Sequence, residues 1–521
     1  MRTPRERARL LLPALAVALF FGIAISSLAL KSATYDEPVY VIAGLSYLSL
    51  GDFRMKDDAP PLVAYLAGLS PLVLRLEIPG GRLPFEDSLQ KEYPFAARLL
   101  YGADADRVLF WSRLAVLVPF GGLLLFTVHA WAGALFGPAG ATLALLLAAF
   151  CPTLIAHARL VSADLPCAAA MLFASYRLWR LGEAPGAGRA LGAGLALGLA
   201  LVTKFSALAL LPTWALVSVS WTALGPRCER MRRARQCALA LAAAAAVVLA
   251  IYGWPPDPLR YARGVANIYR NLAGGYRSYF LGSFYPGVLP YYYPVVLALK
   301  LSLPLLVLGL GGLALLRRRR VGWCAALCLL LPAATLLAAA TRDTAASGVR
   351  RVLPVVAVLA VAAGGWAPEV KRWGAAGARR GRAGSALLVA LVGFHAFSCL
   401  RAWPHYIPYF NEVALAFGEP QDLLDDSNVD WGQDLKALPR VMRRHGVERV
   451  ALWYFGKADP RYYGIDYRQM SRRDLTDPPP GVYAVSLQRI IRSRQDGVAP
   501  LFRRPPFARA GTSIWLYRVE P

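Results

Sequence analysis

The sequence predicts an all-α integral membrane protein that crosses the bilayer many times and carries a small α/β domain at its C-terminal end. Of its 521 residues, 57% are hydrophobic, and the mean hydropathy is +0.42. Apolar runs that reach or approach the ~20 residues needed to span a hydrocarbon core recur along the chain. Such runs must be helical, because lipid offers no hydrogen-bond partner to backbone polar groups.

The basic residues, which give a net charge of +26, are clustered between the apolar runs. This pattern is typical of cytoplasmic loops beside anionic lipid. A nucleic-acid-binding protein would instead carry a basic face free of neighbouring spans, so we expect no nucleic-acid partner. The clusters are Arg2/Arg5/Arg7/Arg9, Arg177/Arg180/Arg189, Arg227/Arg230/Arg232/Arg233/Arg235, Arg317–Arg320 and Lys371/Arg372/Arg379/Arg380/Arg382.

If every basic cluster is cytoplasmic, the chain has about eleven spans, the first being a retained signal-anchor helix. They are expected near residues 10–30, 108–128, 138–156, 165–181, 190–203, 206–223, 237–253, 291–315, 321–340, 350–367 and 383–400. The N-terminus is then cytoplasmic, and residues 31–107, 157–164, 254–290 and 401–521 lie outside. In the first external loop (31–107), the stretches Val39–Leu50 and Pro61–Leu76 are too short or too interrupted to span. We expect amphipathic helices in the interface there.

Composition changes near residue 401, where polar residues mix with alternating stretches such as VERVALWYFG and GVYAVSL. Alternation of this kind predicts strands, and DPPPG predicts a turn. We therefore divide the chain into a membrane domain, 1–400, and a soluble external α/β domain, 401–521. The seven cysteines lie in or beside apolar runs and do not indicate a disulfide scaffold.

Carboxylates follow two of the predicted spans. Asp36 and Glu37 come directly after the first apolar run, where they either begin the next helix beside its dipole or carry out chemistry, since acidic residues beside a membrane are costly unless used. Asp164 precedes Pro166 at the start of another span, a good N-cap position that is compatible with a catalytic role.

Three cations are expected on the same external side. Lys204 lies between two closely spaced apolar runs, where it either snorkels or meets an anion. Arg350 and Arg351 begin a later span on the external side. This runs against the positive-inside bias and favours a specific anionic ligand. Cations with a nearby carboxylate suit group transfer from a lipid-linked phosphate.

The ordered set of motifs resembles the GT-C superfamily of polyprenyl-phosphate-sugar-dependent glycosyltransferases. The similarity is to the bacterial family 39 type, with its protein O-mannosyltransferases and lipid A aminoarabinose transferases. The segments that carry the resemblance are TYDEPVYVIAGLSYLSLGDFRM, APPLVAYLAGL, PTLIAHARLVSADLP, GLALGLALVTKFSALALLP, YYYPVVLALKLSLPLL, GVRRVLP and, in the tail, DDSNVDWGQDLKALPRVM.

The resemblance implies an inverting transfer of a sugar from a polyprenyl-phosphate donor to an acceptor hydroxyl on a lipid, glycan or protein. It also implies that this transfer takes place at the outer face of the inner membrane. By match to the motifs, Asp36 is the expected base, with Glu37 the second candidate. Lys204 and Arg350 or Arg351 would hold the donor phosphate. Asp164 would orient the acceptor or ligate a divalent cation, a requirement that stays open.

A polar cluster in the tail has two interpretations. It either binds carbohydrate, with Trp431 stacking on a sugar, or docks the domain onto the membrane part. Its principal members are Asp426, Asn428, Asp430 and Trp431.

Two other functions compete with transfer. The first is a transporter or flippase of lipid-linked sugars, for which we would expect internal repeats and broken helices at the midplane. The chain shows no repeat at a fixed spacing, and its charges lie at span ends. The second is a non-catalytic assembly protein of the same fold.

Overall fold

The structure is a computed structural model, and it describes residues 4–86, 91–253, 257, 259–272, 277–319, 321–343, 346–497 and 499–521. Two residues of the predicted basic clusters, Arg2 and Arg320, lie outside the described residues, as do parts of the predicted external segment 254–290.

Helices dominate the first four-fifths of the chain, and strands are concentrated in the last fifth. In chain order the helices are α1 (Pro4–Leu28), α2 (Glu37–Leu50), α3 (Leu62–Val73), α4 (Glu92–Tyr101), α5 (Ala105–Ala149), α6 (Pro152–Ala158), α7 (Asp164–Glu183), α8 (Ala187–Leu201), α9 (Leu211–Ala223), α10 (Arg230–Ala250), α11 (Arg260–Leu272), α12 (Tyr292–Lys300), α13 (Leu303–Arg318), α14 (Trp323–Ala340), α15 (Leu353–Ala363), α16 (Trp366–Ala376), α17 (Ala378–Ala402), α18 (Glu412–Phe417), α19 (Pro420–Leu423), α20 (Leu438–Arg444), α21 (Arg473–Thr476) and α22 (Leu487–Ser493). The strands are β1 (Arg277–Phe280), β2 (Ser283–Pro286), β3 (Arg449–Trp453), β4 (Asp466–Gln469), β5 (Gly481–Ser486), β6 (Ala508–Ala510) and β7 (Ile514–Val519).

The protein is a multi-pass membrane protein. Within the described residues, seven helices are long and apolar enough to cross a membrane, and two shorter apolar helices accompany them. The predicted all-α membrane fold with a small C-terminal sheet is confirmed, whereas the number of about eleven spans stays a prediction.

One helical stretch holds two predicted spans. Helix α5 runs for 45 residues, but Gly137 inside it has φ 79° and ψ −179°, and Pro138 follows. Glycine adopts this positive φ without steric cost, and proline removes a helical hydrogen bond. The chain therefore turns here, and α5 accounts for the spans predicted near 108–128 and 138–156.

Helix α2 is internal, in contrast to the amphipathic interfacial helix that we predicted. Its residues from Glu37 to Tyr47 are buried, and it packs against α3 at a contact between two glycines. A Cβ atom on Gly44 would overlap the carbonyl oxygen of Ala64, and one on Gly68 would overlap the backbone of Gly44. Because this stretch is apolar on all sides, its burial needs a partner that only the tertiary structure supplies.

The C-terminal region contains a five-stranded sheet with strand order β4-β3-β5-β7-β6. Strand β3 pairs in parallel with β4 and β5, while β7 pairs antiparallel with β5 and β6. The stretches VERVALWYFG and GVYAVSL supply β3 and β5, as their alternation predicts. Just beyond the carboxyl end of β3, Phe455 stacks on Tyr35, the residue that precedes Asp36.

Candidate active site

Asp36 lies at the N-cap position of α2, but its side chain does not cap the helix. One carboxylate oxygen accepts a hydrogen bond of 3.2 Å from the Tyr93 hydroxyl. The other lies 3.8 Å from Nη1 of Arg350. The side chain keeps 21% of its surface exposed, so its oxygens remain accessible to a hydroxyl group.

Glu37, the next residue, is fully buried and saturated with donors. Arg113 binds it through Nε at 2.8 Å and Nη2 at 2.6 Å. The backbone N–H groups of Thr34 and Val161 donate at 2.7 and 2.9 Å. Burial alone would raise the pKa of Glu37, but Arg113 and the two N–H groups outweigh burial and lower it. This geometry favours a structural role for Glu37 over its predicted role as second candidate for the catalytic base.

Asp164 and two predicted cations form the centre of the site. Lys204 Nζ donates to Oδ1 of Asp164 at 2.5 Å. Arg350 Nη1 lies 3.7 Å from Oδ2 of the same carboxylate. Asp164 is 3% exposed, whereas Lys204 and Arg350 keep 23% and 20% of their side-chain surface. Arg350 therefore bridges Asp36 and Asp164, and both cations present free surface to a ligand.

A glycine and an asparagine fix the position of Arg350. The 3₁₀ turn Val349–Val352 begins after Gly348, which has φ +73°. A Cβ atom on Gly348 would lie 2.6 Å from Nδ2 of Asn428. The Asn428 side chain fills the space that a Cβ atom would need, and its amide oxygen Oδ1 accepts a hydrogen bond of 3.1 Å from the Val349 N–H. The predicted tail residue Asn428 thus holds the turn that carries Arg350.

Arg351 and Trp431 lie differently from the prediction. Arg351 forms an ion pair with Asp343 rather than with Asp164. Trp431 is 2% exposed, and the Arg350 guanidinium lies 4.2 Å from its ring centroid. A ring so covered does not offer a free face to a sugar, and Trp431 acts here as a support for Arg350.

The rest of the tail cluster binds neighbouring backbone. The Asp430 carboxylate accepts from the N–H groups of Gly432 and Gln488 at 2.9 and 3.0 Å, and burial raises the pKa of Asp430 to about 7. The Asp426 carboxylate accepts from the Ser427 N–H at 2.5 Å. These contacts favour docking over carbohydrate binding.

The same segment also holds the loop that leads into Asp36. The Tyr35 N–H donates to the Trp431 carbonyl oxygen at 2.9 Å, and Ser32 Oγ donates to the Gly432 carbonyl oxygen at 3.0 Å. Lys31 and Asp434 form a buried ion pair at 2.6 Å.

Sequence reasoning missed several residues at this site. Tyr93 and Lys56 belong to the first loop, and no local pattern distinguishes them from its other polar residues. Lys56 Nζ donates to Asp58 at 2.5 Å, and its backbone N–H donates to Glu92 at 2.9 Å. Arg113 did give a signal, because a charged residue inside an apolar run is costly and indicates a specific partner.

A cavity of about 440 Å³ lies between the first loop and α11. Its wall includes Lys56 and Asp57 from the first loop, and Arg260 and Gly264 from α11. Helix α11 packs on Phe205, the residue after Lys204, since a Cβ atom on Gly264 would lie 2.5 Å from that ring. Among the described residues that line the cavity, none is Asp36, Asp164, Lys204 or Arg350, although its volume is large enough for a small polar ligand.

The surroundings of Asp164 do not fit a divalent cation. Its two oxygens already face Lys204 and Arg350, and a metal ion there would meet two positive charges and one carboxylate. Across the described ranges, no group of three or more His, Cys, Asp or Glu residues is placed to hold a metal ion. The chemistry of the donors disfavours the metal-binding role for Asp164, whose two oxygens instead face the cations Lys204 and Arg350.

The chain is similar to known glycosyltransferases in part of its sequence and in its fold. Residues 97–254, less than half of the chain, match the family model described as dolichyl-phosphate-mannose-protein mannosyltransferase. This stretch contains Asp164 and Lys204 but neither Asp36 nor Arg350. Among curated proteins, none matches the chain.

Solved structures extend the similarity over the full length. The ArnT protein of Cupriavidus metallidurans in the apo state is 15% identical, with 99% of each chain covered and a TM-score of 0.51. The same protein bound to undecaprenyl phosphate is 14% identical, with 97% of this chain and 98% of that chain covered and a TM-score of 0.46. The oligosaccharyltransferase AglB of Archaeoglobus fulgidus, in complex with an inhibitory peptide and a dolichol-phosphate, is 13% identical, with 77% and 56% covered and a TM-score of 0.48. The predicted resemblance to GT-C glycosyltransferases of family 39 type is confirmed.

Proposed function

We propose that this chain, which has the GT-C glycosyltransferase fold, moves a sugar from a polyprenyl-phosphate donor to an acceptor hydroxyl with inversion at the anomeric carbon. The observation that carries the proposal is the Arg350 guanidinium, which lies 3.8 Å from Asp36 and 3.7 Å from Asp164, with Lys204 on the far side of Asp164. A carboxylate able to accept a proton thus lies beside two cations able to hold a phosphate.

Asp36 is the proposed base. As the acceptor oxygen attacks the anomeric carbon, Asp36 takes its proton, and the bond between that carbon and the phosphate oxygen breaks. The phosphate leaves with the electron pair, so no general acid is needed, and the sugar passes through an oxocarbenium-like state. The hydrogen bond from Tyr93 orients one oxygen of Asp36 and leaves the other to face the reacting centre.

Lys204 and Arg350 are the proposed phosphate ligands. Negative charge grows on the departing phosphate in the transition state, and fixed cations in a site of low polarity stabilise it. Asp164 would keep both side chains in place between turnovers. Arg351, which pairs with Asp343, is left out of this assignment, as is Glu37.

The donor class is supported by the matched family model, whose description names mannose on dolichyl phosphate. The acceptor remains a lipid, glycan or protein hydroxyl. We place the reaction at the outer face of the inner membrane, with the N-terminus in the cytoplasm and the domain 401–521 outside. A reporter fused after residue 60 should then be extracytoplasmic, and a cytosolic signal would refute this orientation.

Mass spectrometry of glycolipids and glycoproteins tests the function. Cells with and without the gene are compared first, to find the product that loses a sugar. The deleted strain is then complemented with Lys204→Gln, Arg350→Gln or the matched control Arg351→Gln. Loss of one phosphate ligand should lower turnover by about 10²- to 10³-fold, whereas the control should retain most activity.

Two results would contradict the proposal. Normal product with Arg350→Gln would remove the phosphate site, and normal product with Asp36→Asn would remove the base. A phenotype of the deletion without any lost sugar would favour the assembly protein instead. Accumulation of donor in one leaflet, with transfer intact, would favour the flippase.

A further inference from the structure

Two cations of the C-terminal region are held by aromatic rings rather than by carboxylates. Lys457 Nζ lies 4.8 Å from the ring centroid of Tyr35 and 5.5 Å from that of Tyr93. The Arg489 guanidinium lies 5.7 Å from the rings of both Trp453 and Phe455. We call these six residues the cation–aromatic cluster.

Within the part of the chain that the structure describes, neither Lys457 nor Arg489 forms an ion pair. Asp430 acts on Arg489 from beyond ion-pair distance, and the buried Nε of Arg489 has no hydrogen-bond partner. A buried donor without a partner is costly, and a bound ligand, ion or water is one way to satisfy it. By contrast, Lys204 and Arg350 balance the charges of the two carboxylates beside them.

The cluster adjoins the proposed base. Phe455 stacks on Tyr35 with centroids 5.1 Å apart, and Tyr35 contacts Tyr93 at 5.2 Å. Tyr35 immediately precedes Asp36 in the chain, and the Tyr93 hydroxyl donates to Asp36. A molecule with anionic groups at Lys457 and Arg489 would therefore lie along the Tyr35 and Phe455 rings, next to Asp36.

We propose that Lys457 and Arg489 each bind a carboxylate or phosphate group of an anionic saccharide acceptor, and so present one of its hydroxyls to Asp36. This inference rests on the proposed function and assigns the acceptor to the anionic saccharides. The donor phosphate is bound separately by Lys204 and Arg350. The two cations of the cluster therefore select the acceptor rather than the donor.

A saccharide fits this surface better than an acidic peptide. Peptides commonly bind by adding a strand to an exposed sheet edge. The strand that leads into the cluster, β3, is flanked on both sides, by β4 and β5. The partly exposed lining instead consists of aromatic rings and tyrosine hydroxyls, groups that suit the apolar faces and hydroxyls of a sugar.

Binding of labelled trisaccharides to the full-length protein in nanodiscs tests the inference. The probes are trigalacturonate, which is anionic, and galactotriose, which is neutral, and fluorescence polarisation gives their affinities. We expect trigalacturonate to bind more tightly, and Lys457→Gln or Arg489→Gln to weaken its binding about tenfold each. The charge-preserving Lys457→Arg should retain it.

Arg518→Gln is the matched control. Arg518 lies in β7, in the same sheet as Trp453, and over an aromatic ring outside the cluster, 4.9 Å from the centroid of Phe507. Its substitution should leave trigalacturonate binding unchanged. Thermal unfolding of each variant shows whether a loss of binding comes from misfolding, and the two single substitutions provide independent readings.

Three outcomes would overturn the inference: equal affinity for both trisaccharides, unchanged trigalacturonate binding in both Gln variants, or tighter binding of a labelled hexaglutamate peptide than of trigalacturonate. Because this assay involves no transfer, its failure is separate from failure of the proposed function. The latter would appear as the same product in cells carrying the wild-type protein and Asp36→Asn.

Discussion

Asp36 and Glu37 are neighbours in the chain, yet we expect replacement of each carboxylate by the corresponding amide to have different effects. Glu37→Gln should destabilise the protein, and Asp36→Asn should leave it folded and inactive. The difference arises from burial: the Glu37 side chain is fully buried against Arg113, whereas the Asp36 side chain keeps 21% of its surface exposed.

The cost at Glu37 follows from its contacts. Its carboxylate accepts from two nitrogens of Arg113 and from two backbone N–H groups. A glutamine would present an NH₂ group to one of these donors and leave the Arg113 charge buried without a counterion. Breaking a buried ion pair from one side costs about 3–5 kcal/mol. The carbonyl oxygens that Arg113 also contacts, those of Leu28, Lys31 and Ser32, do not replace the negative charge.

The cost at Asp36 is small by comparison. Arg350 is 3.8 Å away, beyond hydrogen-bond distance, and a partly exposed pair of this kind contributes about 0–1 kcal/mol. Removal of a general base lowers turnover by about 10²- to 10⁴-fold. Glu37→Gln should therefore lower stability, whereas Asp36→Asn should lower the activity per folded molecule.

Thermal unfolding of the purified proteins in detergent, followed by size-exclusion chromatography, measures the first axis. Product formation, normalised to folded protein, measures the second. The reasoning is refuted if Glu37→Gln unfolds at the wild-type temperature and is inactive, because Glu37 would then be doing chemistry. It is also refuted if Asp36→Asn is active.

Three further predictions concern stability. Burial raises the pKa of Glu92 to about 7, so the folded protein keeps a proton that the unfolded chain loses above the ordinary pKa of a glutamate. The Tm of the wild type relative to Glu92→Gln should therefore fall as pH rises from 5 to 7.5, and a constant difference would contradict this. Gly44→Ala would force α2 away from α3 and should cost about 1–3 kcal/mol, whereas Gly22→Ala, with nothing within 4 Å of its Cβ, should be neutral in the same unfolding assay. Asp434→Asn leaves Lys31 buried without its partner and should expose the C-terminal region to trypsin at concentrations that spare the wild type; equal digestion would argue against the docking role.

The sequence predicted which segments meet at the site, and the family resemblance ranked Asp36 above Glu37, but residue type and spacing alone did not decide which of two adjacent side chains points into it. Glu37 turns inward because Arg113, 76 residues away, lies on that side of α2. Arg351 turns away from Asp164 because Asp343 attracts it. Choices of this kind depend on partners distant in the chain, so residue type and local spacing cannot decide them.

The same limit applies to the fold. Apolar length correctly predicted a multi-pass helical membrane protein, since lipid forces such runs to be helical, whereas the number of spans stays a prediction. The interior position of α2 was not predicted, because an apolar helix of 14 residues has the same composition whether it lies in the interface or inside the protein. The glycine contact between α2 and α3 decides between these positions, and it can be recognised only after the two helices are paired.

The tail residues connect the two halves of the site. Trp431 and Gly432 hold the backbone just before Asp36, and Asn428 holds the turn that carries Arg350. Asp36 and Arg350 lie far apart in the chain. Their side chains are 3.8 Å apart, beyond hydrogen-bond distance, so this contact alone does not hold the two segments together. A segment of a few residues that binds both backbones fixes that separation directly. The C-terminal region is therefore a structural part of the proposed active site, and the cation–aromatic cluster extends from the same region toward the same carboxylate.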